Sequence, residues 1–374
     1  MPKPRRATDL PSGVTAPINL IEAADNLDKH LQTSTVEVFN PIQTGFPQLD
    51  EYLGGGFHAG DFAVLGGVQN VGKTAIALQL AGQIVEDKSV LCIFVCYEHS
   101  TQNLFERLII QHSFTSPDKP NITAKMLTEA YIKTIEKRDQ SQEEAPENAF
   151  HHLQETVTSL PDGVRVWAEL MRKQNNIWLV TGHSIYADTK ALDAYFKMGI
   201  DLGFKRIVMF VDYIQRVPFF ITNMPYIEDK VRIDYVLRYL KSTSLEYANQ
   251  GIVAPIIGVG AADEEGLRLG RVHMENLWGS SIMQYEPDIA LIMNKDPINN
   301  GDHKLIRVGL EKNRWGPADV EWRHRHYGSA FLFEREGRLV NEEESFQGER
   351  KYLRMELEAQ IRAKEAKEIN NGSN

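Results

Sequence analysis

Cysteine is scarce in this chain: Cys92 and Cys96 are the only two among 374 residues. They stand an even number of residues apart in an apolar run, so on a strand they share one face. That reads as core packing in a reducing compartment, not as a disulfide framework. Metal-ligand spacing is missing too, since the pair His151-His152 lies in a charged stretch without further Cys or His at ligand distances. Lys3, Arg5 and Arg6 are followed by no apolar segment, and no run approaches the ~20 apolar residues a spanning helix needs. The expected location is the cytoplasm, with no membrane contact. Positive charge is in deficit: 41 Lys and Arg face 51 Asp and Glu, for a formal net charge of −10. This argues against a generally basic nucleic-acid coat and leaves a locally basic channel open. With 42% hydrophobic residues the chain can bury one large core or two modest ones.

What is present is a phosphate loop. Gly67, Val68, Gln69, Asn70, Val71, Gly72, Lys73 and Thr74 fit G-x-x-x-x-G-K-[ST] without a gap. Glycines let backbone N–H groups close round a phosphate, the lysine ammonium neutralises charge, and the hydroxyl holds Mg²⁺. The loop follows a short apolar run, Asp61 to Gly66, and precedes an alanine-rich stretch of helical spacing from Ala75 to Val85. The phosphates therefore sit at a helix N-terminus, where free N–H groups and the helix dipole favour anions. The expected ligand is a nucleoside triphosphate with Mg²⁺.

Apolar strand-like runs recur at Val90–Tyr97, Ile177–Thr181, Arg206–Asp212, Val253–Val259 and Asp288–Met293, with helical patterns at 188–203 and 230–249. Alternation of helices with near-continuous apolar strands predicts an α/β fold, a mainly parallel twisted sheet with helices on both faces. Phosphate chemistry then lies beyond the C-terminal strand ends. Residues 1–40 read as an N-terminal arm, whose amphipathic piece Ile18 to Asp28 either docks on another surface or caps the core. Residues 41–335 read as the nucleotide-binding domain, with a charged helical insertion at 115–170 that includes Gln140 to Pro146. Residues 336–374 read as a charged helical tail, with Leu353, Leu357 and Ile361 at four-residue spacing.

Two acids end apolar strands. Asp212 closes the run from Arg206, where a carboxylate emerges beside the phosphate loop and holds Mg²⁺. Gln215 follows, either sensing the γ-phosphate or lying in a plain strand-end loop. Glu98 closes the run from Val90, placed to orient an attacking water as general base, or else solvated punctuation.

Several segments together resemble the ATPase domain of DnaB-like replicative helicases, a branch of the RecA-like P-loop NTPases. They are Pro41-Ile-Gln-Thr-Gly45-Phe-Pro-Gln-Leu-Asp50, Gly54-Gly-Gly-Phe-His-Ala-Gly60-Asp61, the phosphate loop with Ala75, Glu98, Asp212-Tyr-Ile-Gln215 and Lys312-Asn-Arg314-Trp-Gly316-Pro317. The resemblance implies hexameric rings that hydrolyse ATP with Mg²⁺ between subunits and draw single-stranded DNA through the centre. It implies that Lys312 and Arg314 reach the neighbour's γ-phosphate as a finger in trans; a basic hairpin surface is the competing reading. Arg268 and Arg271 fall in the segment that lines the pore of related rings, to contact DNA phosphates, or else form an ordinary solvated loop.

The chain departs from that pattern. Where the family carries a Ser-Gln-Leu-Asn-Arg-like motif this chain has Gly258-Val-Gly-Ala-Ala-Asp263, so the glutamine coupling nucleotide to DNA is absent. The following stretch lacks the family's acidic-arginine run and keeps Gly279-Ser-Ser281. The expectation is that the short arm stands in place of the family's primase-binding amino-terminal domain, so loading and primase contact are not carried over. A phage, plasmid or mobile-element helicase with replication partners is the first expectation. A regulatory or assembly ATPase without unwinding, and a filament-forming recombination mediator, are the alternatives.

Overall fold

A computed structural model of the protein describes residues 16–33, 36–117, 121–141, 150–182, 187–219, 228–279, 282–297 and 304–341. The chain enters through α1 (Leu20–Thr33), α2 (Val36–Phe39) and α3 (Pro47–Tyr52), then β1 (Phe62–Gly67), α4 (Lys73–Ile84), β2 (Val90–Cys96) and α5 (Thr101–Ser113). Helices α6 (Ala124–Ser141), α7 (His151–Thr158) and α8 (Gly163–Arg172) precede β3 (Ile177–Thr181). Next come α9 (Thr189–Asp201), β4 (Arg206–Asp212), α10 (Asp229–Asn249), β5 (Ile256–Val259), α11 (Glu264–Leu269), α12 (Ile282–Tyr285) and β6 (Ile289–Lys295). Strands β7 (Lys304–Asn313), β8 (Val320–Tyr327), β9 (Leu332–Phe333) and β10 (Arg338–Leu339) follow.

The strands form one sheet in the order β10-β8-β7-β6-β1-β5-β4-β2-β3, with β9 paired to β8. From β6 to β3 all neighbours are parallel. Every residue of β1, β2, β4 and β5 is buried, as expected of strands covered on both faces, and this is why their sequences run apolar without alternation. The parallel order places the ends of β1, β2 and β4 side by side at one edge, and all site chemistry there follows from that.

Beyond β6 the sheet turns antiparallel through β7, β8 and β10, an extension absent from the sequence-based expectation. These strands carry charges that are paired inside the protein: Arg307 Nε of β7 lies 2.9 Å from Asp296 Oδ2, its Nη1 lies 3.6 Å from Glu321 Oε2 of β8, and Glu321 Oε1 is 3.0 Å from Arg271 Nη2. Buried ion pairs replace the apolar signal by which a strand is recognised. The same extension corrects the tail boundary, since Arg338–Leu339 pairs with β8 and Val340 is buried, so the sheet continues past residue 335.

The amphipathic arm forms α1, and none of its residues is buried; Leu20 is 89% and Ile21 82% exposed, so the helix does not cap the core. Lys3, Arg5, Arg6, residues 142–146, Ser280, Ser281, Leu353, Leu357 and Ile361 lie outside the described residues. No helix among the described residues is long and apolar enough to cross a membrane.

The lead-in motif has a structural role. Asp50 accepts from the backbone N–H groups of Thr44 at 2.7 Å and Gly45 at 3.2 Å, while Ile42 and Phe57 exchange backbone hydrogen bonds at 2.7 and 2.8 Å. Gly56 has φ +131°, and a Cβ there would stand 2.2 Å from the Ile42 carbonyl oxygen. Replacing Gly56 by Ala is therefore expected to destabilise the protein by about 2 kcal/mol or more. Urea unfolding tests this: the midpoint should fall with little change in slope, and an unchanged midpoint would contradict the role assigned to this turn.

Candidate nucleotide site

The phosphate loop joins β1 to α4 and is shaped by its glycines. Gly67 has φ +150° and a Cβ would meet the Met293 carbonyl oxygen at 2.4 Å; Gly72 has φ +97° and a Cβ would strike Phe333 Cζ at 2.7 Å. Asn70 holds the left-handed conformation at φ 57°, which asparagine tolerates better than most residues. Gly72 is also the N-cap of α4 and supplies no side chain, so the first-turn N–H groups are left for an anion.

Lys73 Nζ donates to the carbonyls of Gly67 at 3.0 Å and Val68 at 2.8 Å. Burial lowers its pKa to about 8, while the charges of Asp212 and Glu98 pull the other way. Thr74 Oγ1 donates to Asp212 Oδ2 at 2.8 Å across the intervening β5. Asp212 has no exposed surface, and its Oδ1 is buried without a hydrogen-bond partner. Burial raises its pKa to about 6; the Thr74 bond opposes this and the Glu98 charge adds to it. Mg²⁺ binds oxygens at about 2.0–2.1 Å, which sets neighbouring octahedral ligands about 3 Å apart. The Thr74 and Asp212 oxygens fit that spacing, and the orphaned Oδ1 marks a carboxylate in want of a cation.

Glu98 follows β2, with its side chain 35% exposed and its Oε2 3.9 Å from His99 Nε2. It is thus at the same sheet edge as Lys73 and Asp212. Sequence reasoning missed one further member, Arg107 on α5. Its Nε is buried without a partner and its guanidinium lies 4.9 Å from the centroid of the Phe331 ring. Burial lowers its pKa, opposed by electrostatic attraction to Cys96, Asp212, Glu98 and Tyr213, residues at the C-terminal ends of β2 and β4. The available signal was its position on α5: Leu104, Leu108 and Gln111 form the buried face, and an arginine at 107 interrupts that face.

Other sequence candidates lie elsewhere. Gln215 accepts from Ala261 N–H at 3.3 Å and donates to the Trp278 carbonyl at 2.9 Å, bridging the ends of β4 and β5 to the segment after α11. Both ends of its amide are occupied by backbone. Arg271 is held by Glu321, whereas Arg268 is 81% exposed and 3.8 Å from Glu264. Lys312 Nζ donates to the carbonyls of Gln284 and Tyr285 at 2.9 Å, and Arg314 Nη1 contacts Asp288 Oδ1 at 2.8 Å. Asp288 accepts from the N–H of Phe62, the first residue of β1, whereas the phosphate loop leaves the last. At about 3.3 Å per residue along β1, Lys312 and Arg314 are some 15 Å or more from the phosphate loop of their own chain.

The strand order, the uncapped helix after β1 and the acids ending β4 and β2 define a RecA-like P-loop fold. Residues 41–181 match the family described as DnaB-like helicase C terminal domain, a span holding the phosphate loop, Glu98 and Arg107. No curated protein matches the sequence. Among solved structures the chain is similar to an isolated ATPase domain, at 15% identity and TM-score 0.62 over 85% of this chain and 99% of that one. It is also similar to a DnaB-like replicative helicase solved for its interactions with primase, at 15% identity and TM-score 0.61 over 84% of this chain and 68% of that one. The resemblance read from the motifs holds, and the structural likeness carries the fold.

With a triphosphate in the loop, the Arg107 guanidinium would add positive charge on the side of Asp212 and Glu98. Arg107→Ala is expected to lower kcat for ATP by about 10²–10³-fold with a smaller change in KM. Steady-state kinetics measure it, and a kcat within twofold of wild type would remove Arg107 from the site.

Proposed function

We propose that the chain is a Mg²⁺-dependent ATPase that works as a ring, hydrolysing ATP between subunits and moving along single-stranded DNA. The observation that carries this reading is the split of the charged groups. Lys73, Thr74, Asp212, Glu98 and Arg107 gather at one edge of the sheet. Arg314, with 55% of its side chain exposed, stands with Lys312 at the other. One chain cannot bring both sets to one phosphate, whereas a head-to-tail neighbour can.

In this account Lys73 and the loop N–H groups hold the phosphates. Thr74 and Asp212 would hold Mg²⁺, which when bound neutralises charge between the β- and γ-phosphates. Glu98 orients the attacking water and accepts its proton. Arg107 from the same chain and Arg314 from the neighbour, supported by Lys312, stabilise charge on the transferring group. The exposed apolar stripe of α1 gives such a neighbour a surface to grip. Gln215 ties the Asp212 strand to the segment around Arg268, a route by which nucleotide state reaches a DNA-facing loop.

A second reading, a regulatory or assembly ATPase without unwinding, is favoured by one feature: Glu321 holds the Arg271 guanidinium through both its oxygens at 3.0 Å. ATP turnover with and without single-stranded DNA separates the two. The ring reading expects stimulation by DNA and a fall of about 10³-fold or more in kcat for Arg314→Ala, with Lys73→Ala folded and inactive. Turnover indifferent to DNA would favour the regulatory reading, and full activity in Lys73→Ala would contradict both.

A further inference from the structure

Two buried acids hold Arg314 and the residue after it at the sheet edge opposite the phosphate loop. Asp61 precedes β1 and Asp288 precedes β6, and these strands are parallel neighbours. The Asp288 N–H donates to the Phe62 carbonyl at 2.7 Å, and Asp288 Oδ2 accepts from the Phe62 N–H at 2.9 Å, so both acids are fixed to adjoining strand starts. Consecutive residues after β7 are gripped by them. Asp288 Oδ1 contacts Arg314 Nη1 at 2.8 Å, and the Asp288 carbonyl accepts from the Arg314 N–H at 3.1 Å. Asp61 Oδ1 accepts from Trp315 Nε1 at 2.8 Å, and the Trp315 ring stacks on His58 with centroids 3.9 Å apart.

The acids are themselves held. Lys241 Nζ donates to Asp288 Oδ2 at 2.6 Å and to the Gly60 carbonyl at 2.9 Å, and the His58 N–H donates to Asp61 Oδ2 at 2.7 Å. Both carboxylates are buried, whereas Arg314 and Trp315 are exposed. As a way of merely stapling a loop this is unfavourable. Burial and the charge of Asp288 push the Asp61 carboxyl up to about 6, and its donors, a backbone N–H and an indole N–H, are neutral. An apolar contact of similar size would avoid burying the charge. What a carboxylate supplies and an apolar contact does not is direction, since a charge-assisted hydrogen bond fixes the angle of its donor as well as its place. We propose that Asp288 and Asp61 are positioning residues for ATP hydrolysis in the neighbouring subunit: Asp288 sets the direction of the Arg314 guanidinium, and Asp61 with His58 anchors Trp315 so that the backbone carrying Arg314 stays fixed.

This rests on the reading of Arg314 as a finger in trans. With Nη1 on Asp288, the guanidinium keeps further N–H donors for a phosphate. A misplacement of about 1 Å in such a group can cost about 10²-fold in rate, so its aim has to be built into the chain that carries it. Neither acid touches the nucleotide of either subunit in this account, and both act through Arg314.

Steady-state ATP turnover of the full chain carrying Asp288→Asn or Trp315→Phe tests this. Asp288→Asn keeps the side chain's shape and removes its charge; Trp315→Phe keeps a ring for His58 and removes the indole donor. We expect kcat to fall at least about threefold in each, with KM for ATP within about twofold of wild type. Mixed with Lys73→Ala, each variant should then turn over ATP faster than the sum of the separate proteins. Its own phosphate loop is intact, and the Lys73→Ala neighbour brings a well-aimed arginine. A merely structural loss would weaken the variant's own nucleotide site, which mixing does not restore. A smaller fall or a rise in kcat in either folded variant, or a loss that mixing leaves unchanged, would overturn the proposal. Should Asp288→Asn fail to fold by circular dichroism, Trp315→Phe decides. Arg314→Ala, run alongside, checks the underlying reading. If it loses turnover and regains it on mixing with Lys73→Ala while Asp288→Asn and Trp315→Phe keep theirs, only the positioning proposal fails. If Arg314→Ala keeps full turnover, or loses it beyond rescue by mixing, the trans reading itself fails.

Discussion

A carboxylate with no exposed surface, Asp212 at the end of β4, is the group on which the rest of this site depends. An isolated buried charge is strongly unfavourable, so it must be paired, hydrogen-bonded or neutralised. Here Thr74 donates to one oxygen, the Lys73 charge lies close by, and the second oxygen remains without a partner. The strain of that arrangement is visible in both directions: burial pushes Asp212 up to about 6 and Lys73 down to about 8. A divalent cation with its phosphates would relieve both, which is the physical argument behind the proposed Mg²⁺–nucleotide site.

The sheet explains where everything else stands. Because β1, β4 and β2 are parallel and in register, their C-terminal ends bring the phosphate loop, Asp212 and Glu98 to one edge. The antiparallel β7 runs back along β6 and delivers Lys312 and Arg314 to the opposite edge. The extension also supports the loop from behind, since Phe333 stacks on His326 with ring centroids 4.3 Å apart and both rings abut Gly72. Gln79 of α4 donates to the Phe333 carbonyl at 2.9 Å and accepts from its N–H at 2.7 Å. The antiparallel strands are thus fastened to α4, the helix that follows the phosphate loop.

Much of this was legible in the sequence. The phosphate loop is contiguous, so its residue types and order report its geometry directly, and the parallel strands are buried on both faces and read as apolar runs. What escaped depends on contacts distant in sequence. Arg107 carries meaning only because α5 turns it toward residues that end two different strands. The antiparallel strands were hidden because Asp296, Arg307 and Glu321 satisfy one another inside the protein. Gln215 reads from the sequence as a γ-phosphate sensor or a plain strand-end loop residue, and its bonds to Ala261 and Trp278 are contacts that spacing does not report.

The central claim is that one chain holds an incomplete site and a second copy completes it. Mixing Lys73→Ala with Arg314→Ala tests it most directly, because their shared interfaces include pairs with an intact phosphate loop on one side and an intact arginine on the other. The account predicts that ATP turnover of the mixture rises well above the sum of the two inactive variants measured alone. Turnover equal to that sum, under conditions where the two variants exchange subunits, would contradict it.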